Sequence, residues 1–420
     1  MLRPGFLVPS ILVASALLVF PACSQSPRAN TGAPLGAEPN IAGSEQGFRT
    51  WLRAVKAEAL QAGISPATVE TVLARAEYLP SSVEKDTRQP EFSRTTGDYF
   101  RLIVPESRVV KALEKISEHQ SLLNRLQREY GVPAGILVAL WGLESNFGEN
   151  IGSTPIIDTL ATLAYDGRRG AFFKSQLFDA LRILDGGHVQ ASNMIGSWAG
   201  AMGQTQFMPS TFLAYAVDGD GDGWLDPWNS VSDALASGAN YLGALGWNRS
   251  LPWGREVVLP PSFDYSRTDL GGRATVAEWS ALGVRLASGG AIPENPSTPA
   301  AILVPSGYRG PAFLVYENFD ILLKWNRSIN YALAAGYLSD RVSGVSTALH
   351  QPFPDTDRSL RLTEIMEIQE LLNARGFDAG QPDGLIGART RLAIRHYQAS
   401  RGLVADGYPD ESLLLALRVR

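Results

Sequence analysis

The chain has 420 residues, 45% hydrophobic and 19% charged, enough for two or three compact domains that each bury a core, which excludes disorder as its main state. Thirty-seven basic against 42 acidic residues leave a net charge of -5, so there is no broad electrostatic footprint for a nucleic-acid backbone. Four dispersed histidines and one cysteine write no zinc motif and allow no intrachain disulfide.

Pro4 to Pro27 carries no charge, and Phe6 to Phe20 is nearly all apolar behind Arg3. The pattern predicts an export signal over residues 1–22. A transmembrane anchor is the other reading, but the stretch falls short of the roughly 20 apolar residues that cross a bilayer. It ends Val19-Phe20-Pro21-Ala22-Cys23, which resembles a bacterial lipobox, where the cysteine is acylated and becomes the mature N-terminus. Pro21 and Phe20 depart from the usual residues there, and the alternative is a plain signal peptide cut near Ala22 that leaves a free thiol. Either way the mature chain is expected outside the cytoplasm. The lipidated form would be held at the outer membrane and face the periplasm, with residues 23–44, rich in Pro, Gly, Ser and Asn, as a flexible tether.

Residues 45–348 read as mainly α with minor β. Val109, Leu113 and Ile116, then Leu122, Leu123 and Leu126, keep one apolar face before Gly131-Val132-Pro133 stops the helix. Short strands are expected at 256–259 and 312–315.

The segment Ala139 to Gly148 carries the first chemical signal. Leu137, Leu140 and Trp141 mark the apolar side of a helix, and Glu144 follows them at helical spacing. A carboxyl on that stripe is expected to be partly desolvated, which raises its pKa and suits it to protonate a glycosidic oxygen. The alternative is a surface Glu at a helix end, where Ser145, Asn146 and Gly148 stop the helix. A second segment, Gly196 to Ser210, strings small residues before a polar and aromatic cluster. Small residues give backbone room for a bulky ligand, and Gln206 offers both a donor and an acceptor.

Together, Trp141-Gly142-Leu143-Glu144-Ser145-Asn146-Phe147-Gly148 and Gly200-Ala201-Met202-Gly203 followed by Gln206-Phe207-Met208-Pro209-Ser210 resemble the lytic murein transglycosylase B family, glycoside hydrolase family 103, from near Phe48 to near Gly344. The resemblance implies a lysozyme-like catalytic domain and one catalytic carboxylate, matched by Glu144. It would protonate the oxygen between N-acetylmuramic acid and N-acetylglucosamine, then take the proton of the muramoyl 6-hydroxyl, leaving a 1,6-anhydro end without water. By motif match Ser197, Gln206, Phe207 and Met208 would line the sugar groove. Arg168 and Arg169 match a basic pair for acidic parts of the polymer, with a solvated surface pair as the alternative. Tyr241, and Asn326 and Tyr331 in the run from Trp325, resemble the cleft's aromatic and amide positions, with core packing as the alternative for the tyrosines. No catalytic cofactor is implied. Glu149, Asp158 and Asp166 stay open as a second carboxylate, which a hydrolytic muramidase would need; a non-catalytic wall-binding scaffold is the remaining rival.

Asp218-Gly219-Asp220-Gly221-Asp222-Gly223-Trp224-Leu225-Asp226 fits the start of an EF-hand calcium loop, with Asp218, Asp220, Asp222, the Trp224 carbonyl and Asp226 as ligands. Asn229 stands where a bidentate Glu belongs, so binding is expected to be weak unless Asp233 reaches in. A structural calcium is the expectation, and a metal-free Asp-Gly turn the alternative.

Residues 349–359, with Pro352 and Pro354, read as a linker. The last segment, 360–420, shows three apolar helical patches separated by turns at Asp383-Gly384 and Asp406-Gly407. With Gln369, Leu372, Gly376, Thr390, Tyr397 and Gln398 it resembles the peptidoglycan-binding domain 1 family, which implies a small three-helix module that holds the wall polymer. The expected partners are therefore peptidoglycan glycan strands, the outer membrane if Cys23 is acylated, and cell-wall synthesis or division proteins.

Overall fold

The computed structural model describes residues 43–87, 94–355 and 357–419; the export segment, Cys23 and most of the tether lie outside them. The architecture is mainly helical with minor sheet, as expected. The described residues pack as two compact units, the first within 43–87 and 140–241, the second within 94–139 and 242–419.

In the first unit, Ser44 caps the helix Glu45–Gln61 by accepting the Gly47 N–H at 3.1 Å. That helix buries Phe48, Leu52, Val55 and Ala59 at helical spacing. Phe48 meets the rings of Trp51, Tyr78 and Tyr165 at 5.5–5.9 Å between centroids. The helices Ile156–Asp166 and Gly170–Asp185 form the body of the unit, and Asp185 accepts from Ser65 N–H at 2.8 Å and Ser65 Oγ at 2.7 Å. A two-stranded pairing joins Thr154 to Gly196 and Pro155 to Ile195.

The second unit differs from the expected single helix over 109–126. His119 ends one helix, Glu106–Glu118, and begins the next, Gln120–Tyr130. The buried face uses Val109 and Ala112, then Leu123 and Leu126, while Leu113 is exposed. The two expected strands form at Gly254–Val258 and Ala312–Val315. They are two of the three inner members of a five-stranded sheet ordered Ala274–Thr275, Pro299–Leu303, Ala312–Val315, Gly254–Val258, Arg285–Leu286, with antiparallel neighbours. Val257, Ile302, Leu314, Trp279 and Tyr316 make its core.

Packed beside Trp253 on the helix Ile329–Val342, Asp340 has its carboxyl pKa pushed up to about 7 by burial, against the opposing pull of the Trp253 indole and Arg255. The folded state therefore holds this proton more tightly than the unfolded chain, and stability should fall as pH rises from the ordinary carboxyl range to about 7. Asp340→Asn should flatten that limb in denaturant titrations at several pH values. An unchanged slope would show that Asp340 titrates normally.

The C-terminal module forms three helices, Leu362–Ala374, Ala388–Ser400 and Glu411–Arg418, around Ile368, Leu372, Ile394, Tyr397 and Leu414. Its two Asp-Gly turns are built alike. Gln369 donates to Asp383 Oδ1 at 2.9 Å and accepts the Gly384 N–H at 2.9 Å. Gln398 donates to Asp406 Oδ1 at 2.8 Å and accepts the Gly407 N–H at 2.9 Å. Gly384 and Gly407 sit at φ of 76° and 75°, the left-handed backbone that the Asp-Gly pairs predict.

The segment read as a linker is packed against its own unit. Glu256 accepts the N–H groups of His350 and Gln351 at 2.9 and 2.8 Å, and Phe353 is buried with its ring 4.8 Å from that of Phe100. Arg309 then bridges Asp357 and Asp410 at 2.7 and 2.6 Å, and the Tyr308 N–H donates to Asp406. Proline-fixed backbone and these partners make the segment a strap.

Candidate active site

The helix Ala134–Ser145 is apolar all round, and Ile136 to Trp141 are buried. Glu144 lies in its last turn, half-buried. Beyond it the chain takes three consecutive left-handed residues: Asn146, Phe147 and Gly148 at φ of 51°, 64° and 84°. For the two non-glycine residues this costs roughly 1–2 kcal/mol each, so neighbouring contacts must hold the turn. Ser145 Oγ accepts the Gly148 N–H at 2.9 Å and donates to the Trp141 carbonyl at 3.3 Å. Asn150 N–H reaches the Ser145 carbonyl at 2.8 Å. Phe147 packs edge-on to Trp141 with centroids 5.6 Å apart, and Gly142 makes this packing possible, since a Cβ there would fall 2.7 Å from the Phe147 ring.

Gly196 to Phe207 forms a compact double-backed loop, with bridges Gly196 to Met202 and Met202 to Phe207. Its small residues let backbone approach backbone. A Cβ on Gly196 would lie 2.0 Å from the Ala201 carbonyl oxygen, and one on Gly203 2.8 Å from that of Pro227. The room that the sequence suggested for a ligand is thus filled by backbone at these two glycines, the loop's own at Gly196 and that of Pro227 at Gly203. Ser197 is fully buried, and its Oγ accepts the N–H groups of Ala199 and Ala201 at 3.3 and 3.0 Å. Gln206, left-handed at φ of 50° and partly exposed, donates through Nε2 to the carbonyls of Ile151 and Gly203 at 3.1 and 2.9 Å. Phe207 is buried edge-on to Tyr241 at 5.6 Å, and Tyr241 lies 4.7 Å from Tyr215; burial, then the neighbouring Tyr215, raises the Tyr241 pKa. Met208, half-buried, precedes the helix Pro209–Tyr215.

Arg168 and Arg169 both pair with the buried carboxylate of Asp86, and the Arg169 guanidinium lies 4.8 Å over the Phe173 ring. Asn326 and Tyr331 belong to the second unit. Asn326 is buried and accepts the Ser328 N–H at 3.0 Å, and Tyr331 is buried within the helix Ile329–Val342. Of the other carboxylates, Glu149 accepts from the Asn146 amide at 2.7 Å and Asp158 accepts the Glu77 N–H at 3.1 Å.

Gln204 carries no local signal in the sequence. It is buried, accepts the Trp141 indole N–H at 2.9 Å and donates to the Trp228 carbonyl at 3.3 Å. A polar residue between Gly203 and Thr205 reads locally as part of a turn, and its partners lie 63 and 24 residues away.

Carboxylate oxygens of Asp218, Asp220 and Asp222 lie within 4.8 Å of one another. Asp218 accepts the N–H groups of Gly223, Gly221 and Asp222, with Gly223 contributing most to a lowered pKa. Trp224 has an exposed ring and donates its N–H to Asp222 at 2.8 Å. Asp226 accepts the N–H groups of Trp228 and Asn229 at 3.1 and 3.0 Å. Asp233 is buried beneath the loop, its pKa raised by burial, and its two oxygens accept the N–H groups of Gly219 and Asp226 at 2.8 and 2.7 Å, which ties the loop's ends together. Three converging carboxylates are a hard-oxygen donor set that suits a calcium-sized cation.

A family model described as the transglycosylase SLT domain matches residues 47–340, and a peptidoglycan binding domain model matches residues 361–417. Membrane-bound lytic murein transglycosylase B of Escherichia coli (strain K12) is 34% identical over 241 residues, covering 54% of this chain and 62% of that protein, so the match spans less than two thirds of the relative's length. The crystal structure of Pseudomonas aeruginosa SltB3 in complex with NAG-anhNAM-pentapeptide superposes with a TM-score of 0.85 at 46% identity, covering 89% of this chain and 99% of that one. The Escherichia coli lytic transglycosylase Slt35 in complex with calcium gives a TM-score of 0.62 at 26% identity, covering 72% of this chain and 94% of that one.

Proposed function

The chain belongs to the transglycosylase SLT domain family, and from that premise we propose that it is a lytic transglycosylase that cleaves the β-1,4 bond between N-acetylmuramic acid and N-acetylglucosamine. Glu144 donates a proton to the bridging oxygen as the C1–O bond breaks, and the substrate's own acetamido group steadies the positive sugar. The Glu144 carboxylate then takes the proton of the muramoyl 6-hydroxyl as O6 bonds to C1. The products are a free 4-hydroxyl end and a 1,6-anhydromuramoyl end, and no water enters.

The observation that carries this reading is the likeness, at 46% identity over 89% of the chain, to a protein solved with an anhydro-muramoyl fragment. The placement of Glu144 on a rigid helix end supports it, because general acid-base catalysis needs a carboxyl held on a firm scaffold. Digestion of purified sacculi should release anhydromuropeptides. Reducing muropeptides would replace this reading with the hydrolytic one.

The loop from Asp218 to Asp226 would hold calcium through Asp218, Asp220, Asp222, the Trp224 carbonyl and Asp226, with a structural role: the ion neutralises three crowded carboxylates. Calcium at about a hundredfold over its dissociation constant should add about 2.7 kcal/mol to the stability of the folded state. Thermal melts with calcium and with chelator, on the wild type and on Asp220→Asn, check this. Equal melting temperatures for the wild type in both conditions would mean an empty Asp-Gly loop.

The C-terminal module is read as a holder of the wall polymer, and Cys23 as the acylated residue that keeps the enzyme at the outer membrane on the periplasmic side. The sequence pattern before Cys23 and the membrane-bound description of the Escherichia coli relative support that location. Among the described residues no helix is long and apolar enough to cross a membrane.

A further inference from the structure

Gln204 joins three pieces of the first unit. Its backbone N–H donates to the Pro227 carbonyl at 2.9 Å, its Nε2 to the Trp228 carbonyl at 3.3 Å, and its Oε1 accepts from Trp141 Nε1 at 2.9 Å. Trp141 stands one helical turn before Glu144. On the far side of Glu144 the left-handed turn closes against the same side chain: a Cβ on Gly148 would fall 2.6 Å from Gln204 Oε1. Residues on both sides of the carboxylate thus abut one buried amide. The amide satisfies this site from both of its ends, its oxygen accepting from an indole N–H while its nitrogen donates to a carbonyl. A carboxylate would set an acceptor against the Trp228 oxygen, and an apolar side chain would remove the acceptor that the Trp141 N–H uses. Two residues before Trp228 lies Asp226 of the acidic loop, which accepts the Trp228 N–H at 3.1 Å.

We propose that Gln204 is the positioning residue for Glu144, acting through Trp141 and the turn at 146–148. This rests on Glu144 being the acid and base. A proton donor must be held to within a fraction of an ångström, and a misplacement near 1 Å costs about a hundredfold in rate.

The test uses the full chain acting on soluble glycan strands, with anhydromuropeptide formation as the readout. Gln204→Met should keep the wild-type circular dichroism spectrum and change KM less than about twofold, while kcat falls by about a hundredfold. Trp141→Phe removes the same hydrogen bond from the other side and should lower kcat in the same way. The double variant should be no slower than the slower single one. In amide spectra, Gln204→Met should shift the Trp141 indole N–H resonance. A folded Gln204→Met with wild-type kcat would overturn the proposal; if that variant does not fold, a wild-type kcat in Trp141→Phe would do the same. A wild-type protein that makes no anhydromuropeptides would instead overturn the function itself, so the two failures are distinguishable.

Discussion

Glu144→Gln should leave the protein folded and bound to sacculi while muropeptide release falls by about three orders of magnitude. The substitution keeps shape and volume but removes the proton that the leaving oxygen needs and the base that accepts the 6-hydroxyl proton, so both halves of the reaction fail together. The side chain sits in the last turn of the buried helix Ala134–Ser145, so the amide fits without repacking the core. Sedimentation with sacculi should be unchanged, because that binding is assigned to the module whose three helices surround Ile368, Leu372 and Tyr397. Clearance of sacculi at the wild-type rate by Glu144→Gln would remove Glu144 from the mechanism and favour a scaffold or another carboxyl.

Gly152→Ala should cost about 3 kcal/mol or more. Its φ is 88°, where a side chain is strained, and a Cβ would fall 2.0 Å from the Gly196 carbonyl oxygen, 2.2 Å from the carbonyl carbon and 2.7 Å from the Ser197 nitrogen. All three are backbone atoms beside the pairing of Thr154 with Gly196, so no rotamer change relieves the contact. Gly187→Ala is the matched control: φ is 76° there and nothing lies within 4 Å of the added atom, so only the conformational cost of roughly 1–2 kcal/mol applies. In thermal melts the Gly152 variant should unfold several degrees below the Gly187 variant. Coincident melting temperatures would contradict the close approach.

Much of this was legible in the sequence because the signals were local. Glu144 is singled out by the motif from Trp141 to Gly148 taken together with the segment Gly200 to Ser210, since helical spacing alone leaves a surface Glu at a helix end open. The C-terminal module was readable because Gln369 with Asp383-Gly384 and Gln398 with Asp406-Gly407 repeat one clamp within 15 residues of chain or less. What escaped depends on distant partners. Arg168 and Arg169 read as a basic pair for the polymer or a solvated surface pair, and the sequence shows no sign of Asp86, their partner 82 and 83 residues away. The strand Pro299–Leu303 has four buried residues in succession, so it lacks the alternation that marks a half-exposed strand. The glycines of 196–203 announce close approach but not what approaches, and at Gly196 and Gly203 the answer is the protein's own backbone.

The most direct test of the central claim is digestion of purified sacculi in water enriched in oxygen-18, with mass spectrometry of the soluble products. The account predicts muropeptides ending in 1,6-anhydromuramic acid with no heavy oxygen, because the muramoyl 6-hydroxyl closes the reaction. Reducing ends that carry oxygen-18 would contradict it and make the protein a hydrolase with a second carboxylate still to be found.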